Sequence, residues 1–384
     1  MHAKDAEARP TGGVGMRAAV FREVGAPLRV EELELAPLGR GMVRIRIVAS
    51  GVCHSDVSLW DGTIPQAAPA VLGHEGAGVV VEAGPDVTDL TLGDHVVLTW
   101  VAPCRHCFFC LAGRAELCEH GMDHAFAGPY GKASGDEVFC ALGTGTFAEE
   151  TVVPAAAAIR IDPEFPLELA ALVGCAVVTG VGAVVNTARV ALGETVAIVG
   201  CGGVGLAAVQ GARLAGAAMI VAVDRVATKF DVAIANGATH TVDASAGDPV
   251  EAVRALTGGR GVDHAIEVVG TSSTILQAYA MARRGGTVTV VGAGGFADMV
   301  SIPAMNLMVD AKRLQGSVYG GTDPARDIPR MIALAAAGAL DLERLVTTRI
   351  ALDDVNDAFR VMLTGEVARS LIVFPAPADG RGAT

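Results

Sequence analysis

Two groups of cysteines stand out as able to do chemistry. Cys104, Cys107, Cys110 and Cys118 fall within one short stretch with the spacing C-x2-C-x2-C-x7-C. Four thiolates this close wrap a tetrahedral Zn²⁺ without help from the rest of the chain, which makes a closed, structural site. An iron–sulfur cluster and loop disulfides are the rival uses of such a spacing. The long last gap and the lack of a proline after the fourth cysteine disfavour the cluster. His106 lies inside the same loop, where solvation is expected of it rather than ligation.

A second group is dispersed. Cys53 opens Cys53-His54-Ser55-Asp56 after Gly51-Val52, His74 sits in Gly73-His74-Glu75, and Cys175 lies much later between Gly174 and Ala176. A catalytic zinc takes three protein ligands and keeps one position open, and two cysteines with one histidine form a recognised set. Cys53, His74 and Cys175 would supply it. On spacing alone the argument is modest, because lone buried cysteines are usually inert. Cys140 and Cys201 are read as structural or incidental.

A third motif binds a different ligand. The apolar run Thr195–Val199 leads into Gly200-Cys201-Gly202-Gly203-Val204-Gly205, and a helical pattern follows. Gly200 permits the tight turn, Gly202 lets backbone approach a pyrophosphate, and Gly205 lets helix and strand pack closely. The helix N-terminus then offers free N–H groups to the phosphates. The next strand, Met219–Val223, ends at Asp224, where an acid accepts the ribose hydroxyls of an adenosine and repels a 2′-phosphate. NAD is therefore expected over NADP, although the adjacent Arg225 is of the type that accommodates the extra phosphate.

Elements must hold these residues together. At 384 residues the chain exceeds one ordinary core and fits two domains. Short β-type runs at Met16–Arg22, Leu28–Leu35, Met42–Ser50, Val71–Glu82 and His95–Thr99 precede the cysteine loop, and a polar, Gly-rich stretch to Gly145 follows it. Leu167–Ala191 reads as two successive helices. From Thr195 onward short apolar strands alternate with helices, which means right-handed βαβ units and a parallel sheet. The last stretch returns to helices and a final strand, Ser370–Phe374. The expected class is thus α/β. A floppy extension over 1–15 precedes a first domain over 16–176 and 320–376, into which a dinucleotide domain over 177–319 is inserted.

Net charge is −13, with the acids scattered. Such a surface is soluble and argues against a nucleic-acid groove or a lipid-binding face. No apolar run is long enough for a membrane span, and the polar N-terminus lacks a secretory h-region. A cytoplasmic location is expected, where eight cysteines stay reduced and serve better as metal ligands than as disulfides.

From about Met16 to Phe374 the chain resembles the zinc-containing medium-chain dehydrogenase/reductases. Within them it resembles the alcohol dehydrogenases of class III-like, actinobacterial type and their thiol-adduct formaldehyde dehydrogenase relatives. The likeness is carried by GVCHSD (Gly51–Asp56), GHEGAG (Gly73–Gly78), the four-cysteine lobe, Gly174-Cys175 and the glycine fingerprint, in that order. It implies a GroES-like, β-rich catalytic domain beside a doubly wound Rossmann domain. It implies two zinc ions per subunit, one catalytic on Cys53, His74 and Cys175 and one structural on the four-cysteine lobe, together with NAD. By resemblance Ser55 takes the alcohol proton, Asp56 orients the histidine ligand, and Glu75 is a nearby acid able to approach the metal. His54 and Arg369 match basic residues at the cofactor pyrophosphate, and Asp224 and Lys229 match contacts to the adenosine ribose. Thr179 and Val204 match positions packing the nicotinamide; Val269, Gly292 and Ala293 are further expected cofactor contacts, and Trp100 and Val318 line the substrate pocket. One position departs: many relatives end the proton relay in a histidine where this chain has Ser58, so the relay is expected to end at the cofactor ribose and water or to use His54.

The activity implied is reversible hydride transfer between a primary alcohol or aldehyde and NAD. Trp100 favours aromatic, allylic or medium aliphatic alcohols. The alternatives are a mycothiol- or glutathione-dependent formaldehyde dehydrogenase and a nicotinoprotein that never releases its cofactor. A zinc-free reductase or a non-catalytic scaffold predicts missing ligands, and none is missing. The expected partners are the small-molecule substrate and a second copy of the chain, as a homodimer or else a tetramer.

Overall fold

The computed structural model describes residues 15–365 and 369–375. The expected extension over 1–15, apart from Gly15, and the boundary at 376 lie outside the described residues. Strand Met42–Val52 is the organising element of the N-terminal part. Val43, Ile45 and Ile47 are buried while Arg44 and Arg46 alternate with them toward the other face, the period-two pattern of a half-buried strand. It pairs antiparallel with Glu75–Ala83, and on its other side with Glu150–Pro154 and Ser370–Val373. The register sets Gly51 opposite Glu75. That pairing brings the residue after the first strand, Cys53, and the residue before the second, His74, to the same end of the sheet.

Beside this sheet, Met16–Phe21, Arg29–Leu35, Gly131–Ala133, Asp136–Cys140 and Ala70–Val71 close into a small barrel. The two strands between 131 and 140 fall where the sequence reads only as polar and Gly-rich. They are short and half polar, and only their partners in the barrel make them strands.

The third sheet has six parallel strands in the spatial order His240–Asp243, Met219–Asp224, Thr195–Val199, Val262–Glu267, Ala282–Val290, Arg313–Gly316. Its first strand in the chain is central, so the order reverses beside it. In such sheets ligands bind in the crevice beyond the carboxyl ends of the strands flanking the reversal, here those of Thr195–Val199 and Val262–Glu267. The run TVAIV is apolar throughout because a central parallel strand is covered on both faces.

The segment over 167–188 is helical but broken. A helix over Leu167–Ala170 passes into a 3₁₀ turn to Gly174, Cys175 leaves the helical region, and a new helix runs over Ala176–Gly182 before a π turn. This bent piece lies in a continuous apolar core that includes Ala49 and Val97 of the first sheet, Val196 and Ile198 of the parallel one, and Leu206 of the helix that follows it. Among the described residues no single helix is long and apolar enough to cross a membrane.

Candidate active site

At the junction of the two sheets, Cys53, His74, Glu75 and Cys175 present ligand atoms that all lie within 4.8 Å of one another, and all four residues are buried. Each comes from a different kind of place. Cys53 follows the strand Met42–Val52 and caps the short helix His54–Trp60, His74 and Glu75 enter the strand Glu75–Ala83, and Cys175 occupies the break between helices.

Asp56 ties the first two together. Its carboxylate, fully buried, accepts from the Cys53 backbone N–H at 3.0 Å, from the Gly73 N–H at 3.1 Å, and from the His74 Nδ1–H at 2.9 Å. With Nδ1 engaged, Nε2 is the nitrogen left for a metal, the arrangement that fixes tautomer and ring direction in metal-ligating histidines. Burial opposes charging this ring, yet the Asp56 carboxylate outweighs it and holds the imidazole pKa well above its ordinary value. Hydrogen bonding from Cys175 in turn draws the Cys53 thiol well down toward thiolate. Two sulfurs and an imidazole converge on one buried point, the donor set of a catalytic zinc, and a carboxylate stands beside them.

Glu75 is pushed up to about 7, chiefly by burial. One of its carboxylate oxygens pairs with Arg369, and the other, Oε1, has no hydrogen-bond partner among the described residues. Arg369 itself is buried, although it comes from the far end of the chain. A Cβ on Gly203 would collide with its guanidinium, so Arg369 reaches from the cysteine–histidine group to the first turn of the helix Gly203–Leu214.

The glycine turn is built as its spacing implies. Gly200 adopts φ +103°, and a Cβ on Gly205 would strike the Gly200 carbonyl. In front of Gly202 there is open space, so backbone lies exposed to an incoming phosphate. Asp224 accepts from Cys201 N at 2.7 Å and from Val226 N at 2.9 Å, with Lys229 Nζ at 3.4 Å. Arg225 is exposed beside it. Val204 and Thr179 are close to this crevice: Val204 is half-buried in the turn, and the Thr179 hydroxyl lies 4.0 Å from Cys175 Sγ. Val269 and Ala293 are exposed and Gly292 half-buried at the opposite lip, where the Gly292 and Gly270 backbones touch.

Ser55 is half-buried with its hydroxyl 3.9 Å from Cys53 Sγ, while His54 is exposed at the start of the same helix. Ser58 is buried. Trp100 is half-buried and meets Tyr319 edge to face with ring centroids 5.0 Å apart; Val318 is exposed next to it.

The second group, Cys104, Cys107, Cys110 and Cys118, also converges within 4.8 Å. Backbone N–H groups point at its sulfurs: Cys107 N reaches Cys104 Sγ at 3.3 Å, and Cys104 N reaches Cys118 Sγ at 3.2 Å. A donated N–H from Cys110 leads the influences that push the Cys107 thiol down to about 6. Four sulfurs with amide donors around them suit a closed thiolate site for zinc.

Three residues of the site are not apparent from spacing. Tyr319 is buried and donates its hydroxyl to the Gly174 carbonyl, next to Cys175. Glu267, buried at the end of a crevice strand, accepts from Val269 N, Gly270 N and Thr274 Oγ1 and so shapes the turn carrying Val269. Asp323 pairs with Arg105 of the cysteine lobe through two bonds of 2.8 Å. Only the neighbourhood of Val318 hints at the first; nothing in the sequence signals the other two.

Comparison with known proteins places this geometry. Residues 39–163 match the alcohol dehydrogenase GroES-like domain and residues 203–337 the zinc-binding dehydrogenase domain. The chain is 39% identical over 365 residues to an S-(hydroxymethyl)glutathione dehydrogenase from Synechocystis, covering 93% of this chain and 99% of that protein. Among solved structures, an alcohol dehydrogenase zinc-binding domain protein from Burkholderia ambifaria superposes with TM-score 0.89 at 34% identity. The benzyl alcohol dehydrogenase of Acinetobacter calcoaceticus does so with TM-score 0.87 at 31% identity; each covers 94% of this chain and 99% of its own.

Proposed function

The chain belongs to the zinc-dependent alcohol dehydrogenases of the medium-chain dehydrogenase/reductase family, and from that premise we propose that it oxidises uncharged primary alcohols with NAD, reversibly and without a thiol partner. Hydride transfer between an alcohol carbon and a nicotinamide is the activity of the family, and zinc and nicotinamide are its cofactors. When bound, zinc acidifies an alcohol oxygen and polarises an aldehyde carbonyl.

The chain's own residues do the rest. Cys53, His74 and Cys175 would hold the metal, with Asp56 keeping His74 in the tautomer that offers Nε2. The Ser55 hydroxyl, beside Cys53, accepts the alcohol proton. With a buried Ser58 in place of the histidine that the resemblance leads one to expect, the exposed His54 at the start of the same helix is the residue of this chain that would pass the proton on to water. The turn Gly200–Gly205, the helix it opens and Arg369 would hold the pyrophosphate, and orientation of the two reactants would supply much of the rate. The Asp224 carboxylate at the ribose position favours NAD over NADP, because a 2′-phosphate there would face a fixed negative charge.

The substrate class is carried by one observation: the Trp100–Tyr319 aromatic pair stands next to Cys175 through the Gly174 carbonyl. An apolar, aromatic wall suits benzylic, allylic or medium aliphatic alcohols, and the likeness to a benzyl alcohol dehydrogenase points the same way. A second reading, oxidation of a formaldehyde–thiol adduct, is favoured by the 39% identity to S-(hydroxymethyl)glutathione dehydrogenases. Nicotinamide absorbance with NAD and a panel of primary alcohols, with and without glutathione or mycothiol plus formaldehyde, separates them. Reduction without thiol, fastest with benzylic members, supports the first; reduction only with thiol and formaldehyde replaces it by the second.

A homodimer is part of this proposal. Among the described residues the strand Arg313–Gly316 ends the parallel sheet and is paired on one side only, and the adjoining helix Ala304–Asp310 buries none of its residues, with Met305, Met308 and Leu314 exposed. An open strand edge beside an apolar patch supports pairing with a second copy. Sedimentation of the protein with Met308→Asp, expected monomeric against a dimeric parent, tests it.

A further inference from the structure

We propose that Tyr319 is a positioning residue that locks the wall of the alcohol pocket to the turn carrying Cys175, and that this lock limits the width of alcohol accepted. The inference rests on the functional reading above. The turn Val318–Gly321 sets Val318 at the surface and Tyr319 inside. Tyr319, Gly320 and Gly321 all take left-handed backbone, with φ +50°, +67° and +61°. The two glycines adopt it freely; a tyrosine does not, and keeps it only where its surroundings over-determine it.

Those surroundings are specific. The phenol donates to the Gly174 carbonyl, immediately before Cys175. On the far side of Cys175, the Val178 carbonyl accepts from Thr322 Oγ1 at 3.3 Å. Asn186 Nδ2 donates to the Gly320 carbonyl at 3.3 Å. The ring of Tyr319 lies edge-on to Trp100 at an interplanar angle of 68°. The chain on both sides of a metal-ligand position is therefore fastened to the turn that bears Val318 and to the ring that backs Trp100. A broad alcohol pressing on Trp100 and Val318 meets a wall that cannot move without moving Cys175. Phenylalanine would fill the same space yet leave the buried Gly174 carbonyl without its donor, a loss of the size of one buried hydrogen bond.

The test compares the zinc-loaded, full-length protein with Tyr319→Phe. Amide hydrogen exchange is expected to quicken in both 318–322 and 174–179. KM for benzyl alcohol is expected to change by about fivefold while KM for NAD stays within about twofold, the scale of one lost hydrogen bond acting on one ligand only. Exchange unaltered in 174–179, or both KM values rising together, would overturn the lock. Failure of the parent protein to oxidise any uncharged alcohol would instead remove the functional reading, and the exchange comparison would still decide whether Tyr319 fastens the two turns.

Discussion

The cysteine lobe over 104–118 and the Cys53–His74–Cys175 group have similar ligand chemistry and opposite construction. The lobe draws four sulfurs from one loop, three of them on residues that stay partly exposed, and orients them with its own backbone amides. The second group draws on three separated elements, is wholly buried, and depends on Asp56 to set its histidine. Four thiolates saturate a tetrahedral metal and leave nothing for chemistry, whereas three ligands leave a position open. On the proposed reading, a self-sufficient loop would supply stability, while a site assembled by the whole fold would supply a reacting centre beside the crevice opened by the glycine turn.

The comparison breaks most sharply at His74. His74→Ala should lower turnover by on the order of a thousandfold, the scale of losing a metal's charge stabilisation. Metal analysis should find the lobe zinc retained, and circular dichroism a folded chain; turnover near that of the parent would show that the buried group is not the reacting centre. Cys104→Ala should do the reverse. Losing a structural metal is expected to cost about 3 kcal/mol or more and lower Tm by roughly 6–12 °C. Turnover of the folded fraction at low temperature should stay close to that of the parent, and a Tm unmoved in a calorimetric scan would refute a structural role.

Asp56→Asn sharpens the contrast at intermediate scale. The amide keeps the shape of the carboxylate but cannot accept from Cys53 N, Gly73 N and His74 at once with the same charge. Metal affinity and turnover should each fall by about 10- to 100-fold, as for other outer partners of ligating histidines; competition with a zinc-binding dye measures the first. The smallest effect is expected where the lobe touches the rest of the molecule. Arg105→Ala removes a partly exposed ion pair with Asp323 and should cost about 0.5 kcal/mol, or 1–2 °C in Tm, with zinc content unchanged. Loss of the lobe metal in that variant would mean that the loop is not self-sufficient.

The same contrast explains what could be read along the chain. The lobe and the glycine turn are local: their ligands are neighbours in sequence, and the strand Thr195–Val199 is legible because a central parallel strand is apolar throughout. The strands His240–Asp243 and Arg313–Gly316 are not legible, since they are short and partly polar and acquire strand geometry only from the neighbour they pair with. The stretch over 167–191 shows helical periodicity, but the break at Cys175, with φ −144° and ψ −72°, carries no sequence mark.

By itself, then, the sequence determined the residue types, the metal chemistry of the four-cysteine lobe, the α/β alternation and the cofactor turn, because each is written in spacings short enough for local backbone geometry to enforce. Tertiary structure decided which distant residues meet. The register of Gly51 against Glu75 brings Cys53 to His74, the last strand returns Arg369 to Glu75 and Gly203, and the left-handed turn at Tyr319 reaches Gly174 from 145 residues away. Such contacts depend on the packing of whole sheets against a shared core, and no spacing along the chain encodes that distance.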